Sequence, residues 1–255
     1  MSAQLATVNR SLRILEAFSY TEPVLGVSEL ARKVGMGKST VHRSLATLSD
    51  SGYVTRTTDG RYRLGWKLHE LGVLVVSGMR LHEVAHEPLE RLHRECELAI
   101  NLVVLDGTDA VYIEQFETPG LARNFRESGR RAPAHTTSSG KCLLAFADPI
   151  VVDSIVSRGL TATGPHAITT ERVLRDVLAR IRGDGYVVSV EERTRSVTSI
   201  GAPVFGRGGA CIAAVSVVGT SQQLAGDPLE RYVRQVRTCA LRIGRAMGYT
   251  GTGRE

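Results

Sequence analysis

Apolar positions repeat at helical spacing through most of the first 97 residues, and from Leu98 onward strand-like runs alternate with helical ones. Val8, Leu12 and Leu15, extended by Phe18, mark a first helix. Val27, Leu30, Ala31 and Val34 fall at i, i+3, i+4 and i+7, which predicts a short second helix with Ser28 as its N-cap. Gly35-Met36-Gly37 breaks the pattern, and a third helix starts near Lys38 with Val41, Leu45 and Leu48 on its inner face. Tyr53-Val54-Thr55-Arg56 and Arg61-Tyr62-Arg63-Leu64 then flank Thr57-Thr58-Asp59-Gly60, two β-rich runs around an Asp-Gly turn signal. This succession predicts a winged helix-turn-helix, with residues 25 to 64 holding the turn, its two helices and the wing.

A further stripe, Leu68, Leu71, Gly72, Val75 and Met79, follows in GWKLHELGVLVVSGM. A winged domain closed by its own core has no place to bury it, so it reads as a linker helix that packs against another subunit. Ala85, Leu89, Leu92 and Cys96 form the next stripe, with a kink or break permitted at Pro88. Strand patterns come next in LAINLVVLD, AVYIEQFE, YVVSV, SIGAPVF and CIAAVSVVG. Helical stretches lie between and after them, notably SSGKCLLAFA, ERVLRDVLARIRG and LERYVRQVRTCALRIGRAMG. The expectation is an α+β chain with a helix-turn-helix domain over residues 1–65, a linker helix over 66–80 and a sheet with flanking helices over 81–250.

The outer face of the third helix bears Ser39, Arg43 and Ala46 at i, i+4 and i+7, flanked by His42 and Thr47. A major groove admits one such helix, where an arginine can bridge guanine O6 and N7 and a methyl group can meet thymine. Arg43 is therefore the first candidate for base readout. Lys38, Ser39 and Thr40 stand at the helix N-terminus, where free N–H groups and the positive dipole end favour a phosphate. On the wing, Arg56, Arg61 and Arg63 alternate with apolar or aromatic residues and are expected to approach the DNA backbone.

Charge agrees with that partner through its location. Residues 1–75 hold ten Lys or Arg against six Asp or Glu, whereas the remaining 180 residues hold 22 against 20. Cys96, Cys142, Cys211 and Cys239 are scattered in apolar segments and read as reduced core thiols. No apolar run approaches the roughly 20 residues that span a bilayer, so a cytosolic protein without a membrane partner is expected.

Two motif matches fail on context. His82-Glu83-Val84-Ala85-His86 fits the zinc-peptidase pattern, but no third histidine follows at the extended spacing, Pro88 comes directly after, and the stretch lies where the linker is expected. Gly37-Lys38-Ser39-Thr40 resembles the end of a P-loop, but Arg32 stands where its first glycine should be and a helix stands where its strand should be. Neither metal nor cofactor is expected. A rival enzymatic reading, with Cys142 or Ser139 as nucleophile and His135 as base, lacks an orienting acid and a nucleophile elbow.

Three stretches in the right order make the chain resemble the IclR family of bacterial transcriptional regulators over almost its whole length. They are VSELARKVGMGKSTVHRSLATLSDSGYV, then Gly129 through Lys141, and Gly185-Tyr186 through Glu191-Glu192 to Ser199-Ile200-Gly201-Ala202-Pro203-Val204. The chain departs from the family at Ser196, where glycine is frequent, so the local turn could differ. The resemblance implies a GAF-like mixed α/β domain that binds a small organic-acid effector and alters how a homodimer, or a dimer of dimers, sits on double-stranded operator DNA. Residues Thr136 to Gly140 precede a helix, so Ser138, Ser139 and Gly140 would gather hydroxyls and free N–H groups suited to a carboxylate. By similarity Ser199 and Ser216 line the same cavity, with Asn101 a weaker candidate. Arg123, Arg126, Arg130 and Arg131 form a basic cluster before it, from which one residue could pair with the effector. Effector identity, operator sequence and the choice between repression and activation stay open.

Overall fold

The computed structural model describes residues 5–19, 21–77, 80–118 and 131–251, and its contacts divide the chain into two units, Met1–Gly78 and Met79–Glu255. The first unit contains helices α1 (Ala6–Glu16), α2 (Val27–Val34) and α3 (Lys38–Asp50), strands β1 (Val54–Arg56) and β2 (Tyr62–Leu64), and helix α4 (Trp66–Ser77). Its core is the apolar set predicted for the second and third helices, Leu30, Ala31, Val34, Val41, Leu45 and Leu48, closed by Val54 and Tyr62. Gly35 links α2 to α3 at φ 65°, the left-handed region in which a side chain is strained. The wing pairs Val54 with Leu64 and Arg56 with Tyr62, and Leu25 adds a bridge to Tyr62.

Two local expectations need correction. In α1 the buried residue is Ile14, whereas Val8 and Leu12 are 53% and 52% exposed. Val8 and Leu12 form an apolar stripe that the core of this unit leaves uncovered; contact with α2 and α3 buries Ile14 instead, with Leu15 and Phe18 beside it. The N-cap of α2 is Gly26, not Ser28. Gly26 N–H donates to the Glu29 carboxylate at 2.6 Å, which supplies the glutamate half of a capping box without a capping hydroxyl.

The second unit is built on a six-stranded sheet of order β5-β4-β3-β8-β7-β6, in which every pairing among the described residues is antiparallel. Its strands are β3 (Ala99–Asp106), β4 (Asp109–Phe116), β5 (Arg131–Pro133), β6 (Val187–Val190), β7 (Val197–Phe205) and β8 (Cys211–Thr220). Helices α5 (Arg80–Cys96) and α9 (Pro228–Ala246) cover one face, where Leu89, Val236 and Ile243 meet Ile100, Val215 and Val217. Helices α6 (Ser138–Ala145), α7 (Pro149–Arg158) and α8 (Glu171–Asp184) cover the other, where Leu144, Leu174 and Ile181 join Val103 and Ala214. Burial on both faces explains why β8 reads as a continuous apolar run rather than an alternating one.

Helix α5 runs through Pro88 without the break the sequence permits, and its predicted stripe of Ala85, Leu89, Leu92 and Cys96 is buried on both sides of the proline. Strand β5 and helix α7 were not anticipated. The helix starts with Pro149 behind Asp148, whose carboxylate accepts the Ile150 N–H at 3.0 Å.

Candidate DNA interface and ligand pocket

Helix α3 buries Val41, Leu45 and Leu48, and this turns the opposite face outward. Lys38, Ser39, His42, Arg43, Ala46 and Thr47 are exposed, with Thr40 half-buried. The Thr47 hydroxyl donates to the Arg43 carbonyl at 3.3 Å. Other cations of this unit hold the fold instead: Arg13 donates to the Val34 carbonyl at 2.6 Å, and Lys33 to the Ala17 carbonyl at 3.1 Å. On the wing, Arg56 and Arg63 are exposed. Arg61 differs from the expectation, because its guanidinium is engaged by Glu29 at 2.9 Å and ties the wing to α2. The Gly26 N–H and then Arg61 hold the Glu29 carboxyl below its ordinary value, which keeps that strap charged.

In the second unit a small cavity of about 40 Å³ lies between the start of α6 and the sheet. Ser138, Ser139, Asn101, Ser199 and Ser216 all line it. Three of them are joined with Gln115 by hydrogen bonds: Ser139 Oγ donates to Ser216 Oγ at 2.8 Å, Asn101 Nδ2 to the same oxygen at 3.4 Å, and Gln115 Nε2 to Asn101 Oδ1 at 3.1 Å. Thr137 caps α6 by accepting the Gly140 N–H at 3.0 Å. Gly140 itself is corrected: it does not line the cavity but lies so close to Ala134 that an added Cβ would stand 2.1 Å from that carbonyl oxygen. Its role is to let α6 pack on the preceding turn. Gly201 serves β7 likewise, since a Cβ there would meet the Ser138 backbone at 2.8 Å.

Other lining residues were missed. Tyr112 and Ser189 come from strands β4 and β6, and their inward parity could have been read from AVYIEQFE and YVVSV. Glu192, Arg193 and Thr194 come from the connection between β6 and β7, where no periodicity exists to signal them. Beside the cavity, Glu192 pairs with Lys141, whose side chain is only 1% exposed. Desolvation pushes the Lys141 ammonium below its ordinary value, and Glu192 opposes that shift.

Of the basic cluster, Arg123, Arg126 and Arg130 lie outside the described residues, and Arg131 is held by Asp106 at 2.5 Å and Asp109 at 3.2 Å. Nucleophile chemistry finds little support here. Cys142 is fully buried and its thiol is pushed far up by burial, and burial also holds His135 below its ordinary value. Burial likewise pushes Cys211 and Cys239 up to about 12. His82 Nε2 and His86 Nδ1 of the peptidase-like match approach the carboxylate of Glu114 at 3.7 and 2.5 Å. Among the described residues no group of three or more His, Cys, Asp or Glu is arranged to hold a metal ion, and no helix is long and apolar enough to cross a membrane. Ser196 stands at φ 61°, so the turn keeps the left-handed backbone that suits glycine.

Residues 7–58 match the model of the IclR helix-turn-helix domain, and residues 73–245 that of the bacterial transcriptional regulator IclR C-terminal domain. The regulator KipR of Bacillus subtilis (strain 168) is 31% identical over 96% of this chain and 98% of its own length. The regulator KdgR of Escherichia coli (strain K12) is 32% identical over 96% and 94%. Among solved structures, an IclR homolog from Microbacterium hydrocarbonoxydans complexed with 4-hydroxybenzoate superposes with a TM-score of 0.85 at 29% identity, covering 95% of this chain and 99% of that one. The Thermotoga maritima IclR gives 0.78 at 29%, over 96% and 100%. With both domain models matched in order and relatives aligned nearly end to end, this chain belongs to the IclR family of bacterial transcriptional regulators.

Proposed function

We propose that the protein is a ligand-responsive regulator that reads a pseudo-palindromic operator as a homo-oligomer and answers to a small organic acid in the α6 cavity, to control a catabolic operon. The DNA half of this reading rests on the outward face of α3: Arg43 and its neighbours form the base-reading set, Lys38, Ser39 and Thr40 the phosphate set, with Arg56 and Arg63 on the backbone. Arg61 contributes indirectly by fixing the wing.

One observation carries the effector half. A group of buried hydroxyls and an amide, Ser138, Ser139, Asn101 and Ser216, faces a cavity at the N-terminus of α6, and Arg193 adds a cation to its lining. Donors of this kind suit a carboxylate that also carries a hydroxyl or keto oxygen. The volume of about 40 Å³ favours a compact molecule, because it corresponds to a few water-sized atoms. Two relatives from Streptomyces species bear the name glycerol operon regulatory protein, which makes a catabolic target reasonable here.

The test pairs DNA binding with metabolite response. Footprinting on the region upstream of the protein's own gene is expected to show two half-sites, and titrating small hydroxy and keto acids is expected to change the affinity. Ser199→Trp should bind the same DNA while losing the response. Absence of any protected duplex would sink the operator reading, and an affinity indifferent to every acid would sink the effector reading.

A further inference from the structure

A second cavity is also walled by β7, further along the strand from the hydroxyl group. It holds about 580 Å³ between the end of α8, β7 and α9, which is the size range of small-molecule sites. Its apolar surface comes from Phe146, Phe205 and Tyr249 together with Pro203 and Leu241. The three rings are arranged in series: Phe146 meets Phe205 edge-on at 4.9 Å, and Phe205 lies 5.5 Å from Tyr249 at a 30° tilt. Close packing sets this wall, since a Cβ on Gly244 would stand 2.7 Å from the Phe205 carbonyl oxygen.

Arg182, Arg234 and Arg237 complete the lining, which includes no acidic side chain. Arg182 donates to the Ala145 carbonyl at 2.9 Å, which engages its guanidinium. Glu230 reaches Arg234 at 3.8 Å, but both side chains are at least 70% exposed, so this is a weak, solvated pair. Helix α9 carries five arginines against one glutamate, while α8 ends on Asp184, between the lining residues Gly183 and Gly185. Flat ring surfaces beside guanidinium groups complement one kind of ligand: a planar apolar body ending in an anionic group.

We propose that this cleft is a second ligand site, separate from the α6 cavity, that takes an aromatic carboxylate. The ring system of the ligand lies against Phe205 and Tyr249, and its carboxylate meets Arg234 and Arg237. Strand β7 is a wall of both sites, with Ser199 lining the first and Ala202 the second.

Calorimetric titration of the full chain with sodium benzoate, at matched ionic strength, tests this. Benzoate has few atoms, so a Kd of about 1 mM is expected. Tyr249→Ala, and separately the double change Arg234→Gln with Arg237→Gln, should each weaken it about tenfold, a fall that loss of stacking or of a charge-assisted pair can produce. Ser199→Trp, in the other cavity, should leave it unchanged. Circular dichroism of the variants confirms that each retains its fold. No saturable heat with wild type, unchanged binding in both cleft variants, or loss of binding in Ser199→Trp would each overturn the proposal; the last would assign benzoate to the α6 cavity.

Discussion

Arg43 stands exposed on α3, one turn from both Ser39 and Thr47, and its guanidinium is the group on that face able to make a bidentate contact with a base. Arg43→Ala is expected to cost about 1–3 kcal/mol in operator binding and to relax preference at one base pair. Titration against an operator series substituted one base pair at a time measures both, and wild-type affinity would refute the docking model. Ser196 offers a different test. At φ 61° its side chain pays for a left-handed backbone, and it is exposed, so no buried contact is lost by trimming it. Ser196→Gly should stabilise the protein by about 0.5–1 kcal/mol in urea denaturation. A destabilised variant would mean that the hydroxyl, not the backbone, dominates at that position. Single residues were legible where chemistry repeats: hydroxyls gathered before an apolar stripe pointed to Ser138 and Ser139. Arg193 was not legible, since a charged residue in an aperiodic connection looks the same whether it faces water or a cavity.

Among the elements, α3 was readable because one of its faces is buried and the other is wet, the contrast that periodicity measures. Helix α6 lacks that contrast. Every residue from Ser138 to Ala145 is buried, including Lys141, so its polar positions say nothing about which face meets solvent. What permits a lysine there is Glu192, 51 residues away along the chain, a pairing that only the fold creates. Removing one member of a buried pair leaves the other uncompensated, so Glu192→Ala should destabilise the second unit by about 3–5 kcal/mol. Adding Lys141→Met should recover much of the loss, because the orphaned charge is then gone. Denaturant melts of the single and double variants decide it; a cost below about 1 kcal/mol for Glu192→Ala would show that solvent reaches Lys141 readily.

At the scale of the molecule, the first unit leaves apolar surface uncovered in one chain. On α4, Trp66, Leu74 and Val75 are 75%, 69% and 67% exposed, with Leu71 and Val73 at 40% and 45%. At α1, the N-cap Leu5 and the helical Val8 and Leu12 are more than half exposed at i, i+3 and i+7. Contiguous exposed apolar positions of this kind mark interaction surfaces more often than solvated ones. In the proposed homo-oligomer, packing of α4 against a second copy would bring two α3 helices to the two halves of one operator. Replacing Leu74 and Val75 by glutamate places two charges on the exposed surface of α4 without touching the core or the DNA-reading side chains. Sedimentation should then show species smaller than the wild-type assembly, down to the 27.6 kDa chain if α4 supplies the whole contact. Operator affinity should fall by far more than Arg43→Ala causes, because each chain would be left to bind a single half-site. If the variant sediments as wild type, α4 is not the contact between copies, and the stripe on α1 becomes the next surface to change.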